Sequence, residues 1–105
     1  MPETLPTINL DALARVGRAL ADDTRRRLLV ELLAGPTYPS DLAEVIGTTK
    51  ANVSNHLACL RDCGLVRGTH QGRRVLYELA DARLARALTD LAGLVVSPYC
   101  AEEQR

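Results

Sequence analysis

The chain has 105 residues, 47% of them apolar, with 13 Lys plus Arg balanced by 13 Asp plus Glu. That is the length of one domain and too apolar for a chain that stays unfolded, while no apolar run approaches the ~20 residues of a bilayer span. Phe and Trp are absent and Tyr occurs three times, so a core of Leu, Val and Ala favours packed helices over a β-sandwich.

Residues 1–8 hold two prolines and no periodicity, and read as a loose arm. This N-terminus has neither a basic stretch nor an apolar run of secretory type, which predicts a cytoplasmic chain. From about residue 9, Leu10, Leu13, Val16 and Leu20 recur on one helical face. Asp22 or Asp23 then caps a second helix over 24–34, with Leu28, Leu29, Leu32 and Leu33 inside and Arg25, Arg26 and Arg27 outside, ended by Gly35 and Pro36. Pro39 or Ser40 opens a short third helix with Leu42, Val45 and Ile46 inside, closed by Gly47. Thr49 caps a fourth helix over 50–62, burying Val53, Leu57 and Leu60, with Gly64 as its left-handed terminator. Residues 65–69 and 74–79 alternate like two strands around Gln71, Gly72 and Arg73. Asp81 caps a last helix to about Val96, with a broad stripe of Leu84, Ala87, Leu88, Leu91, Leu94 and Val95. Ser97 and Pro98 stop it, and a tail carries Cys100. The organisation expected is an arm (1–8), one folded domain (9–96) and a tail (97–105).

Two short helices joined by a tight turn and followed at once by a hairpin predict a winged helix-turn-helix over residues 40–79, within a mainly α fold of five or so helices. The charge agrees. Residues 49–80 carry five basic side chains against two acidic, whereas the segments on either side are slightly acidic. A neutral chain with one basic module suits binding of a polyanion through that module.

The fourth helix divides into faces. Lys50, Ala51, Ser54 and Asn55 lie near its N-terminal end, where short polar side chains and a lysine meet base edges and phosphates of duplex DNA. Arg73 and Arg74, at the hairpin tip, are placed to reach the DNA backbone or minor groove beside them. Asn52, His56, Cys59 and Cys63 occupy a third face. Three cysteines without secretory context argue against a disulfide framework. Cys59 and Cys63, four apart, read equally as small buried residues or as two ligands of a thiophilic ion that needs a third from elsewhere. His56 is a candidate for an added nitrogen ligand. No phosphate-binding loop, nucleophile elbow or zinc-protease motif occurs, so no enzyme and no small organic substrate is expected.

Residues 14–25 (ARVGRALADDTR), 38–43 (YPSDLA), 52–66 (NVSNHLACLRDCGLV) and 84–88 (LARAL) together resemble the ArsR/SmtB family of metal-sensing repressors, nearest its cadmium- and lead-sensing members. The likeness covers about residues 10–95. It implies a homodimer that binds an operator and leaves it when metal binds. It also implies that Cys59 and Cys63 join the tail residue Cys100 in a three-thiolate site. Such a site prefers cadmium or lead, with zinc or arsenite as further candidates. The first and last helices, whose apolar stripes exceed one small core, would form the dimer interface. Two other metal sites of the family are missing: residues 81–95 contain no histidine, and Thr37, Tyr38 and Pro39 stand where an arsenic-binding cysteine cluster would begin. The competing expectation is a thiol-redox switch, although Cβ atoms ~5–6 Å apart at this helical spacing strain a disulfide that prefers ~3.5–4.5 Å.

Overall fold

A computed structural model describes residues 7–94. Its elements are α1 (Leu10–Ala21), α2 (Asp23–Glu31) running into a 3-10 turn (Leu32–Ala34), α3 (Pro39–Ile46), α4 (Lys50–Asp62), β1 (Val66–Gln71), β2 (Arg74–Leu79) and α5 (Ala82–Ala92). Of the expected arm only Thr7 and Ile8 fall within the described residues, and Val95, Val96 and the whole tail with Cys100 lie outside them.

Four helices begin on a side-chain cap that satisfies an otherwise unpaired backbone donor. Asn9 accepts from the Ala12 N–H at 3.0 Å, Asp22 from Arg25 at 2.9 Å, Thr49 from Asn52 at 3.0 Å and Asp81 from Arg83 at 2.7 Å. Asp22 alone separates α1 from α2, in an extended conformation (φ −95°, ψ 132°), and so closes one helix while opening the next. α3 starts on buried Pro39 and ends at Gly47, whose left-handed φ of 84° makes the tight turn into α4.

The core is centred on Leu28 and Leu29 of α2 and on Val53, Leu57 and Leu60 of α4, all fully buried. Leu42 and Ala43 of α3, Leu65 after α4, Val66 and Tyr77 of the hairpin and Leu88 of α5 surround them, and no polar or charged residue is buried among the described residues. β1 and β2 pair antiparallel from Val66 opposite Leu79 to Gln71 opposite Arg74. Gly72 turns the hairpin at φ 66°, a conformation that costs glycine little. Thr37 adds a backbone bridge to Tyr77, with both hydrogen bonds at 2.9 Å, and ties the entry of α3 to the hairpin. Together α3, α4 and the hairpin make a winged helix-turn-helix.

Several expectations change in detail. Val45 is 60% exposed, and Ala43 takes the inward place. At 100° per residue, Leu42, Ile46 and Ala43 span one face and Val45 falls beyond its edge. The second helix begins one residue earlier than expected and tightens after Glu31 into the 3-10 turn. Arg25 is turned inward, with a quarter of its side chain exposed, while Arg26 and Arg27 remain outside. β1 begins at Val66 and runs to Gln71, because Leu65 still donates its N–H to the Leu60 carbonyl at the end of α4. α5 ends at Ala92, where the Gly93 N–H donates to the Asp90 carbonyl, and Ala87 of its expected apolar stripe is exposed. No helix among the described residues is long and apolar enough to cross a membrane.

Candidate functional site

The basic surface is built at the meeting of three elements. Lys50 and Ser54 from α4, Ser40 from α3 and Arg73 and Arg74 from the hairpin tip line one cleft of about 170 Å³, with Tyr38 forming a wall. The Arg74 guanidinium carbon stands 3.5 Å from the centroid of the Tyr38 ring. Thr49 caps α4 in a way that projects Lys50 from the first helical position, next to the positive end of the helix dipole. Of the α4 residues singled out from sequence, Lys50 and Ser54 enter the cleft, while Ala51 and Asn55 are exposed on the helix beside it. Tyr38 and Ser40 line the cleft as well. Their one sequence signal is position, since they flank Pro39 at the entry of the first helix of the motif.

The sulfur-bearing edge lies at the other end of α4. Cys63 follows the last helical residue but keeps right-handed helical angles (φ −81°, ψ −6°) and donates its N–H to the Cys59 carbonyl at 3.1 Å. The helical spacing therefore persists through both cysteines and keeps them on one edge. Cys59 is exposed; Cys63 is half-buried against the core and lines a shallow cleft with Ala12, Arg15 and Val16 of α1.

Cys59 is tied to the corner between α1 and α2. Arg25 donates from Nη1 to Cys59 Sγ at 3.6 Å and from Nη2 to the Arg18 carbonyl at 3.0 Å. Asp22 Oδ2 lies 3.9 Å from Arg25 Nε and 3.9 Å from His56 Nδ1. The backbone N–H of Arg25, with the neighbouring His56 and Arg25 side chains, holds the Asp22 carboxyl below its ordinary value of 3.8 against some desolvation. His56 is thus turned toward a carboxylate. No group of three or more His, Cys, Asp or Glu able to hold a metal ion occurs among the described residues. The donor set on α4 is two thiols, which fits part of a soft-metal site and requires a ligand from outside the described residues.

A helix-turn-helix whose second helix and wing enclose a basic cleft is the architecture of a winged-helix DNA-binding domain. Residues 22–67 match the arsR family of bacterial regulatory proteins, and the chain belongs to that family. It is 60% identical over 86 residues to the HTH-type transcriptional regulator CmtR of Mycobacterium tuberculosis, covering 82% of this chain and 73% of that one. The NMR structure of the cadmium metal-sensor CmtR from M. tuberculosis superposes with a TM-score of 0.68 at 57% identity, over 85% of this chain and 92% of that one. A homodimeric winged helix-turn-helix DNA-binding domain from Mycobacterium bovis superposes with a TM-score of 0.73 at 32% identity, over 79% and 77% of the two chains.

Proposed function

We propose that the chain is a cytoplasmic, homodimeric transcriptional repressor that binds double-stranded operator DNA through α4 and the wing. In this reading it leaves the operator when a soft metal ion, cadmium or lead, is held by Cys59, Cys63 and Cys100. One observation carries the reading: Lys50 and Ser54, which line the basic cleft, and Cys59 and Cys63 stand on the same short stretch of backbone, α4 and its C-cap. Whatever moves the sulfur edge moves the reading edge. The likeness to a cadmium sensor supports the choice of ion, as does the preference of thiolates for soft metals. Zinc and arsenite are the weaker candidates, and His56 is left out of the ligand set.

The bound ion would supply bonds to three thiolates. The protein's own part is the wiring around Cys59. That sulfur accepts from Arg25, whose second nitrogen holds the last turn of α1 through the Arg18 carbonyl. A change at Cys59 is therefore felt at the α1–α2 corner as well as along α4. By linkage, metal and DNA weaken each other by the same factor, and a tenfold effect requires only about 1.4 kcal/mol. The second copy is inferred from α1, where Leu10 and Leu13 are 72% and 63% exposed, and from α5, where Leu91 is exposed, with Leu94 exposed just beyond its end. Apolar faces of this kind call for a partner.

Cadmium titration of reduced protein, followed by thiolate-to-metal absorption in the ultraviolet, tests the ligand set. Saturation at one ion per subunit is expected, with weakened bands in Cys100→Ser and a sedimenting mass of two 11.4 kDa chains. Absence of the bands at micromolar protein would reject the three-thiolate site, and a single-chain mass would reject the dimer.

A further inference from the structure

The cleft between α3, α4 and the wing contains an arrangement that the DNA-reading residues alone do not account for. Arg74 is at the hairpin tip, where an arginine ordinarily sweeps through solvent. Here its guanidinium lies over the Tyr38 ring at 3.5 Å. The ring is carried on fixed backbone. Thr37, just ahead of it, exchanges two 2.9 Å hydrogen bonds with Tyr77 of β2, and Pro39, just after it, is buried at the first position of α3. Tyr77 is itself buried. A guanidinium that packs its face on a ring keeps the N–H donors in its own plane free, which is the geometry that meets phosphate oxygens. Among the described residues neither Arg74 nor Lys50 has a carboxylate partner, whereas Arg67 at the base of the wing is engaged with Glu78 at 3.3 Å.

We propose that this cleft seats a DNA backbone phosphate and that Tyr38 is the positioning residue that holds Arg74 ready for it, with Lys50 and the hydroxyls of Ser40 and Ser54 as the remaining donors. The proposal rests on the DNA-binding reading above and adds a residue to it. Ordering Arg74 before DNA arrives removes part of the rotamer entropy that a free arginine loses on binding. Since phosphate contacts carry no sequence information, the effect acts on any duplex.

The test uses the full-length protein and a fluorescent 30-base-pair duplex of mixed sequence, titrated across a range of salt concentrations. Arg74→Gln is expected to flatten the dependence of log affinity on log salt by about 0.9 for each phosphate that arginine neutralises. Tyr38→Ala is expected to weaken binding by about twofold to fivefold per subunit, the range of an exposed cation–π contact. Tyr38→Phe, which keeps the ring face, restores wild-type affinity. In the Arg74→Gln background, Tyr38→Ala causes no further weakening, an outcome that a general loosening of α3 would not produce. An equal weakening from Tyr38→Ala in both backgrounds, an unchanged salt slope in Arg74→Gln, or a Tyr38→Phe as weak as Tyr38→Ala would each overturn the proposal. Failure of the unaltered protein to bind the duplex at low salt would instead bring down the DNA-binding reading itself.

Discussion

Gly68 faces Tyr77 across the hairpin, and its missing side chain is what lets that ring close over the core. A Cβ at this position would stand 3.0 Å from both Tyr77 Cε1 and Val75 Cγ1. Neither neighbour is a loose chain end, so the buried ring has to shift. Gly68→Ala is expected to lower stability by about 1–3 kcal/mol, as overpacking does, seen as a lower urea midpoint with an unchanged slope. An unchanged midpoint would contradict this account of the ring. Arg25 shows the limit of sequence at the same scale. In the run of Arg25, Arg26 and Arg27 it reads like its neighbours, yet it turns inward because its acceptor, Cys59, comes from a segment 34 positions away. Tyr38 under Arg74 is hidden for the same reason: two residues far apart in sequence are joined only by tertiary packing.

Among the elements, α4 is plainly legible. Thr49, Gly64 and the spacing of Val53, Leu57 and Leu60 are local signals, and the helix runs over Lys50–Asp62 as they require. β2 was equally legible, since alternation and the Gly72 turn are local too. The end of the last helix was not, because its apolar stripe continues past Gly93, where the described helix stops. The corner between α1 and α2 makes a prediction of its own. Asp22 caps α2 and faces His56 and Arg25, and its carboxyl is held below 3.8. A depressed carboxylate stabilises the folded state at pH values above its unfolded value, and that stabilisation is lost as pH falls through the lowered folded value. Acidification from pH 5 to 3 is therefore expected to lower Tm more in the unaltered protein than in Asp22→Asn. Equal losses would show that the corner contributes nothing to acid sensitivity.

At the scale of the whole molecule, the chain places two chemistries on opposite ends of one helix and leaves apolar side chains of α1 and α5 exposed. The basic cleft sits at the α4 N-terminus, the sulfur edge at its C-terminus, and the α1–α2 corner is wired to the latter through Arg25. The winged helix-turn-helix was legible from helix spacing and turn residues because those depend on neighbours in sequence. The wiring was not, because it joins residues of α2 and α4 that are 34 positions apart in sequence. The measurement that bears most directly on the proposed coupling is operator affinity with and without cadmium, using a duplex selected by the metal-free protein from a random-sequence pool. The unaltered protein should lose at least about tenfold in affinity when cadmium is added, corresponding to about 1.4 kcal/mol, and Cys59→Ser should lose little. If cadmium released both proteins equally, or released neither, the sulfur edge of α4 would not be the switch.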